Sequence, residues 1–201
     1  MMKPWELEAT YFAKGYDILC GVDEAGRGPL AGPVVAAAVI LPQEMVLDGV
    51  DDSKKLTAKK REELFTLICQ NALTYGVGLA NEAEIDEHNI LNATYLAMNR
   101  AIENLNINPD FCLIDGNRAK GIRYPNDCIV GGDGKSILIA AASILAKVYR
   151  DRIMEKLDAQ YPQYGFAKHK GYPTKAHYQA LGMHGISPIH RKSFLKKWEI
   201  G

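Results

Sequence analysis

The sequence lacks any segment that could cross a membrane, because such a segment needs about 20 consecutive apolar residues and no apolar run comes near that length. The N-terminal residues Met1-Met2-Lys3-Pro4-Trp5-Glu6 also lack the apolar stretch of a secretion signal. Both absences argue against a membrane protein and against export. We therefore expect a cytoplasmic protein with no membrane partner.

Cysteine is scarce, and its spacing disfavours two further classes of protein. The four cysteines are Cys20, Cys69, Cys112 and Cys128, and no two of them form a CxxC pair. Zinc sites are usually built on such pairs, and disulfide frameworks belong to short secreted chains. Each cysteine lies in an apolar context, so we expect reduced core residues.

One part of the chain lacks acidic residues. The whole sequence has 24 Lys and Arg against 24 Asp and Glu, yet no acidic residue lies between positions 159 and 198. The basic residues of this segment are Lys168, Lys170, Lys175, Arg191, Lys192, Lys196 and Lys197. A solvated tail and a phosphate-binding surface both explain this bias, and interleaved aromatic residues favour the binding surface. We predict a basic substrate-binding region at 162–201 within a single domain that spans 1–201.

Hydrophobic patterning predicts a sheet covered by helices. Short apolar runs indicate strands at residues 17–23, 33–41, 73–79, 111–115 and 128–130. Apolar residues three and four positions apart indicate helices at 58–72, 82–88, 90–105 and 136–158. Early strands followed by alternating helices and strands are typical of an α/β fold with a mixed β-sheet flanked by helices. A small helical basic region would complete the chain.

Four acidic residues stand at or just after the ends of predicted strands. They are Asp23, Glu24, Asp115 and Asp133. Each alone could be an ordinary turn former, but the strand ends of α/β sheets are where sites are assembled. Carboxylates gathered within a few ångströms would repel one another unless a cation lay among them. The pattern therefore predicts a site for Mg²⁺ or Mn²⁺, which prefer oxygen ligands.

Two glycine-rich segments imitate nucleotide-binding motifs without meeting their requirements. Gly134-Lys135-Ser136 lies between a strand and a helix, but Ile129 stands where a phosphate-binding loop needs its first glycine. Residues 26–31 have the spacing of a dinucleotide fingerprint, yet Pro29 and Pro33 would break the helix that must begin there. Nucleotide hydrolysis and dinucleotide binding are therefore disfavoured.

Several blocks of the sequence carry one family resemblance. They are Gly21-Val22-Asp23-Glu24-Ala25-Gly26-Arg27-Gly28-Pro29, Asp52-Ser53-Lys54-Lys55-Leu56, Leu113-Ile114-Asp115-Gly116-Asn117, Gly132-Asp133, Ala141-Ala142-Ser143-Ile144-Leu145-Ala146-Lys147, His169-Lys170-Gly171-Tyr172-Pro173-Thr174 and His190-Arg191-Lys192-Ser193-Phe194. In order and spacing these blocks resemble bacterial ribonuclease HII, the type 2 ribonuclease H. An accidental match would not reproduce so many blocks in one order.

The resemblance implies a ribonuclease H-like fold and an endonuclease that hydrolyses the RNA strand of RNA/DNA hybrids. It also implies nicking on the 5′ side of a single ribonucleotide in duplex DNA, with 3′-hydroxyl and 5′-phosphate products, for ribonucleotide removal and RNA primer processing. The family's four acids match Asp23, Glu24, Asp115 and Asp133, which would hold two Mg²⁺ or Mn²⁺ ions around the scissile phosphate. We expect a monomer that binds such duplexes.

The resemblance also implies a set of substrate contacts. They are Gly26, Arg27, Gly28, Lys54, Lys55, Ser143, Lys147, Tyr172, His190 and Arg191. The turn 26–28 would approach the ribose 2′-hydroxyl, the group that separates RNA from DNA, and Tyr172 would stack on the neighbouring deoxyribose. The other residues would meet phosphates without reading sequence. The structural alternatives are a tight turn at 26–28, packing of Tyr172 on Pro173, and solvated basic residues elsewhere.

The chain departs from the family pattern at one position. The family often carries a basic residue two positions before the fourth acid, where this chain has Gly131, so a phosphate contact would be missing there. Asp127 is a weaker candidate for the metal site than Asp133.

Two rival interpretations stay open from the sequence. Ribonuclease HIII typically has an extra N-terminal domain, whereas about 17 residues precede the first predicted strand here, which favours ribonuclease HII. A nucleic-acid-binding module that has lost catalysis is the other rival, and the presence of all four acids argues against it.

Overall fold

The computed structural model describes residues 4–50 and 56–196. Five strands form one sheet: β1 (Leu19–Ala25), β2 (Val34–Ile40), β3 (Thr74–Ala80), β4 (Phe111–Asp115) and β5 (Asn126–Ile129). The α-helices are α1 (Glu6–Phe12), α2 (Ala58–Asn71), α3 (Glu82–Glu103), α4 (Ile137–Gln160), α5 (Phe166–His169), α6 (Lys175–His184) and α7 (Lys192–Leu195). Short 3-10 turns at Gly132–Gly134 and Pro162–Tyr164 flank α4. None of the described helices is long and apolar enough to cross a membrane.

The sheet is mixed and has the strand order β3-β2-β1-β4-β5. Strands β1, β2 and β3 pair in antiparallel fashion, whereas β1 pairs with β4 and β4 with β5 in parallel. The predicted α/β fold with a mixed sheet is confirmed. Because β1 and β4 are parallel neighbours, their carboxyl ends meet at one edge of the sheet.

Helices cover both faces of the sheet, and α3 and α4 both approach it closely at glycine residues of the strands. Strand side chains alternate between faces, so Gly21 of β1 faces α4, while Cys20 and Val22 pack with residues of α3. Every residue of β2 is buried, as expected of a strand that is covered on both faces. The start of α4 is fixed by Ser136, whose hydroxyl caps the helix and donates to the buried carboxylate of Glu8 at 2.6 Å.

The acidic pair lies inside β1 and not after it. The prediction ended this strand at Asp23, whereas β1 continues to Ala25 and pairs Asp23 with Ala37 and Glu24 with Ala36. Likewise β5 begins at Asn126, two residues before its predicted start. In both places the missed strand residues have polar side chains. Such residues do not show the apolar pattern from which strands are predicted, although their backbone pairs with a neighbouring strand.

Helix α3 is interrupted at Asn89, where the sequence predicted a break between two helices. Asn89 has φ 66° and ψ 162°, outside the helical region. Its side-chain oxygen accepts the backbone N–H groups of Leu91 and Asn92 at 3.0 and 3.2 Å, as an N-cap does. The predicted division is confirmed, and Asn is among the residues that tolerate a positive φ.

Helices α5 to α7 pack around a separate apolar cluster at the end of the sheet. Its buried members are Leu30, Ala31, Met154, Tyr164, Phe166, Ala180, Leu181 and Leu195. Leu30 and Ala31 belong to the connection between β1 and β2, and a β-bridge pairs Ala31 with His190. The C-terminal helices are thereby attached to the connection that follows Asp23 and Glu24.

Gly21→Ala should destabilise the protein, because α4 leaves no room on β1. A Cβ atom on Gly21 would lie 2.2 Å from the backbone carbon of Leu138. Overpacking of a core typically costs about 1–3 kcal/mol, so we expect a clear fall in Tm by thermal unfolding. Gly182→Ala in α6 is the control, since its Cβ would meet no atom within 4 Å and alanine favours the helix. Equal Tm values for both variants would contradict the close approach.

Candidate active site

Three carboxylates meet at the edge of the sheet where β1 and β4 end. Asp23 and Glu24 lie near the end of β1, and Asp115 is the last residue of β4. The parallel register pairs Val22 with Ile114. Asp23 and Asp115 are the next residues of these neighbouring strands and therefore lie side by side.

Burial and the charges of neighbouring carboxylates raise the pKa of Asp23 and that of Glu24. Asp23 is 6% exposed; burial raises its pKa well above the ordinary value, and the charges of Glu24 and Asp115 raise it further. The Glu24 backbone N–H donates to Asp23 Oδ1 at 2.7 Å. Burial also raises the pKa of Glu24, although the Arg27 guanidinium, 3.2 Å away, opposes this shift. A cation placed among these carboxylates would relieve their repulsion.

The fourth acid, Asp133, follows Gly132, whose backbone contacts Asp115. The backbone N–H of Gly132 donates to Asp115 Oδ1 at 2.7 Å, and Asp133 follows in the same 3-10 turn. Gly131, at the start of this turn, has φ 63°, a left-handed conformation that favours glycine. A residue with a side chain would therefore be strained at Gly131, where this chain departs from the family pattern.

Within residues 4–50 and 56–196, no group of three or more Asp, Glu, His or Cys side chains is arranged so that it could hold a metal ion. Groups of the chain itself engage two of the carboxylates: Arg27 contacts Glu24, and the Gly132 amide contacts Asp115. Joint ligation of an ion by these acids would require Glu24 to exchange the Arg27 guanidinium for another cation.

A cleft of about 400 Å³ opens beside Glu24. Its lining includes six of the predicted substrate contacts, which are Gly26, Arg27, Gly28, Ser143, Lys147 and Tyr172. Ser143 and Lys147 lie one turn apart on α4, and the Lys147 ammonium contacts Asp151 at 2.6 Å. The predicted contacts Lys54 and Lys55 lie outside the described residues.

Tyr172 faces the glycine turn across this cleft. Tyr172 is 42% exposed, and a Cβ atom built on Gly28 would lie 3.6 Å from its Cε1 atom. The guanidinium carbon of Arg150 lies 5.9 Å from the ring centre. A Cβ atom at that distance would be in van der Waals contact with the ring, so the exposed ring and the turn without a side chain lie close together at the edge of the cleft.

His190 and Arg191, which the sequence assigned to phosphate contacts, are buried. His190 is 2% exposed and Arg191 0%. The Arg191 guanidinium donates to the backbone carbonyls of Gly26 at 2.6 Å, Arg27 at 3.1 Å and Gly32 at 2.7 Å. A side chain that is bound to interior carbonyls is not available to a duplex. Arg191 instead shapes the turn that lines the cleft.

The sequence prediction omits two cationic residues of the cleft, Arg61 and Arg150. Arg150 lies three positions after Lys147 and seven after Ser143, so helical spacing could have placed it on the same face of α4. It is 1% exposed and donates to three backbone carbonyls. Arg61 lies on α2, whose place beside the cleft depends on tertiary packing, so no local signal marks it.

The fold and the strand-end carboxylates together define a hydrolase of the ribonuclease H-like class. The crystal structure of ribonuclease H2 from Pyrococcus horikoshii matches with a TM-score of 0.76 and 31% identity, over 92% of this chain and 97% of that one. The ribonuclease HII family model matches residues 20–197, and the chain belongs to this family.

Two bacterial relatives support the same conclusion. Ribonuclease HII of Clostridioides difficile is 58% identical over 185 residues, which cover 92% of this chain and 72% of that protein. Ribonuclease HII of Acinetobacter baylyi is 59% identical over 178 residues, 88% of this chain and 94% of that protein. The chain is an endoribonuclease of the ribonuclease H type. The family match confirms the resemblance seen in the sequence and decides against ribonuclease HIII.

Asp23→Asn should stabilise the metal-free protein at neutral pH. Because the folded-state pKa of Asp23 is raised, the contribution of this carboxyl to stability is present below its unfolded pKa and is lost as the pH rises through the folded pKa. Asn removes the buried charge at every pH. We expect a higher Tm than wild type at about pH 8 with a chelator, and a smaller difference at about pH 4, by thermal unfolding.

Asp48→Asn, at an exposed position, is the matched control for this experiment. It removes one negative charge without relieving burial. A Tm rise of the same size in both variants would contradict the assigned cause.

Proposed function

We propose that this chain cleaves the RNA strand of RNA/DNA hybrids and nicks duplex DNA on the 5′ side of a single embedded ribonucleotide. The observation that carries the proposal is the meeting of Asp23, Glu24 and Asp115 directly before the glycine turn 26–28, with Glu24 and this turn lining one cleft. Hydrolysis would leave a 3′-hydroxyl and a 5′-phosphate. This activity would serve ribonucleotide removal from DNA and the processing of RNA primers.

The chemistry of the carboxylates fits divalent cations. Buried carboxylates whose pKa is raised by burial and by neighbouring negative charge are a donor set suited to Mg²⁺ or Mn²⁺. Asp23, Glu24, Asp115 and Asp133 would hold two such ions. Ions held there would supply a lower pKa for the attacking water and stabilisation of the charge on the leaving 3′-oxygen.

The turn 26–28 would detect the ribose 2′-hydroxyl. Arg191 binds the carbonyls of Gly26 and Arg27 from the interior side. In a planar trans peptide the N–H points away from the C=O, so the next amides, those of Arg27 and Gly28, point to the opposite side. Gly28 has no side chain to keep a sugar at a distance. The 2′-hydroxyl, both donor and acceptor, is the group such a surface would read.

The basic side chains of the cleft, together with Ser143, would bind the phosphate backbone of the duplex. Ser143 and Lys147 on α4 and Arg61 on α2 line the same cleft, and Lys54 and Lys55 stay predicted contacts of this kind. Contacts to phosphates position a duplex without reading its sequence and make binding salt-dependent. All these residues come from one chain, so a monomer would suffice.

Purified protein with Mg²⁺ or Mn²⁺ should nick a duplex that contains one ribonucleotide and leave an all-DNA duplex intact. Asp115→Asn keeps the shape of the side chain but removes its charge, so it should reduce nicking to background. The measurement is gel electrophoresis of end-labelled strands, which also locates the cut.

Asp127→Asn is the control, since Asp127 lies on β5 and accepts a hydrogen bond from Tyr11 at 3.0 Å. This variant should nick like wild type. Nicking that survives chelation, or that persists in Asp115→Asn, would overturn the metal mechanism.

Tyr172→Ala should impair cutting at the junction more than binding of the duplex. The ring is exposed opposite Gly28, and loss of one aromatic contact typically corresponds to a roughly 2- to 10-fold effect. We expect a fall of that size in kcat/KM on the one-ribonucleotide duplex, with a nearly unchanged Kd. Tyr172→Phe keeps the ring and should keep most activity. Equal losses of cutting and binding in Tyr172→Ala would indicate a structural tyrosine instead.

A further inference from the structure

Three histidines form one cluster adjoining Tyr172. The rings of His169 and His177 stack with centres 4.5 Å apart, and the Nε2 atoms of His177 and His190 lie 3.0 Å apart. His177 is 0% exposed and His190 2%. In the part of the chain that the structure describes, the lining of the cleft includes neither of them. Any effect on the substrate must therefore pass through other residues.

The hydrogen-bond partners determine where the proton of each buried ring lies. The backbone N–H of Ser187 donates to His190 Nδ1 at 2.9 Å, so this nitrogen is an acceptor and the ring proton is on Nε2. His190 Nε2 therefore donates to His177 Nε2. The remaining proton of His177 is on Nδ1, which donates to the backbone carbonyl of Tyr172 at 3.0 Å.

This arrangement needs both rings to be neutral. A proton added to His177 Nε2 would face the proton on His190 Nε2, and one added to His190 Nδ1 would face the Ser187 N–H. Burial lowers the pKa of His177 and lowers that of His190 to about 4, in agreement with neutral rings. The result is a chain of donors that runs in one direction, from Ser187 to the carbonyl of Tyr172.

We propose that His177 is a positioning residue that sets the orientation of Tyr172 for recognition of the RNA–DNA junction; this inference rests on the proposed role of Tyr172. The Tyr172 carbonyl accepts from His177 and from the Thr174 N–H at 2.8 Å, and the Tyr172 N–H donates to the His169 carbonyl at 2.9 Å. With both neighbouring peptides held, the Cα–Cβ bond has a fixed direction. An exposed ring can then keep its place.

His190, in the middle of this donor chain, is also connected to the glycine turn. His190 is bridged to Ala31 and is followed by Arg191, which binds the carbonyls of Gly26 and Arg27. The His190–His177 hydrogen bond therefore connects the two sides of the cleft, the turn 26–28 and Tyr172. An apolar pair could fill the same space but would leave the Tyr172 carbonyl without this donor.

Substitution of His177 by asparagine or by glutamine tests its two hydrogen bonds one at a time. The amide nitrogen of Asn can replace Nδ1, whereas the amide oxygen of Gln can replace Nε2. His177→Asn therefore keeps the donor to Tyr172, and His177→Gln loses it. We expect His177→Gln to lower the junction preference, the ratio of kcat/KM on a one-ribonucleotide duplex to that on a uniform hybrid, roughly 2- to 10-fold. His177→Asn should stay within about twofold of wild type.

At His190 the effects of the two amide substitutions on the junction preference should be the reverse of those at His177. The amide nitrogen of Gln can replace the Nε2 donor to His177, so His190→Gln should keep the junction preference and His190→Asn should lower it. This reversal protects the test from misfolding, because a loss of stability that follows side-chain size would have the same order at both positions. Thermal unfolding of all four variants completes the comparison. The same order at both positions would overturn the inference.

A double-mutant cycle with Tyr172→Ala tests whether His177 acts through Tyr172. If it does, His177→Gln adds no further loss of junction preference to Tyr172→Ala. Additive losses would overturn the inference while leaving the role of Tyr172 intact. An unchanged junction preference in Tyr172→Ala alone would instead overturn the proposed role of Tyr172, and the inference with it.

Discussion

Two buried guanidinium groups bind the backbone carbonyls of the connection between β1 and β2, and the geometry of the cleft depends on them. Arg191 binds the carbonyls of Gly26 and Gly32, and Arg150 binds that of Pro33. Apart from the single β-bridge at Ala31, this connection has neither helix nor ladder to satisfy its carbonyls, and a buried carbonyl without a partner is costly. The planar fork of arginine satisfies several carbonyls in fixed directions, which the single ammonium of lysine cannot do.

The same two charges influence the electrostatics of the cleft. Burial and the charge of Arg150 together lower the pKa of Arg191 to about 9, against the opposing effect of Glu82 at the start of α3. Burial also lowers the pKa of Arg150. Arg150 lines the cleft beside Tyr172. Its positive charge therefore contributes to the electrostatic potential at the place where an anion would enter. The groups that shape the turn therefore also favour phosphate next to it.

The sequence alone predicts the local elements and the family but not the roles of the basic residues. The sheet and the break at Asn89 could be predicted because hydrophobic periodicity and helix caps are local signals. Arg191 lies in an acid-free segment that is typical of a phosphate-binding surface, yet its partner Gly32 is 159 residues away in the chain. Only the packing of the C-terminal helices against the β1–β2 connection shows that Arg191 binds backbone carbonyls and not phosphate. The place of Arg61 likewise depends on tertiary packing, that of α2 beside the cleft.

The ion pair between Glu24 and Arg27 joins the carboxylates to the glycine turn. The Arg27 side chain is 51% exposed, and an ion pair with an exposed partner contributes little to stability, so it can be exchanged at small cost. In the proposed mechanism a divalent ion would take Glu24 and a substrate phosphate would take Arg27. Each exchange removes one partner of the pair, so metal and substrate would favour each other's binding by linkage. Hydrolysis and ribose recognition would then be coupled through one exposed ion pair, while the buried arginines and histidines keep the framework unchanged.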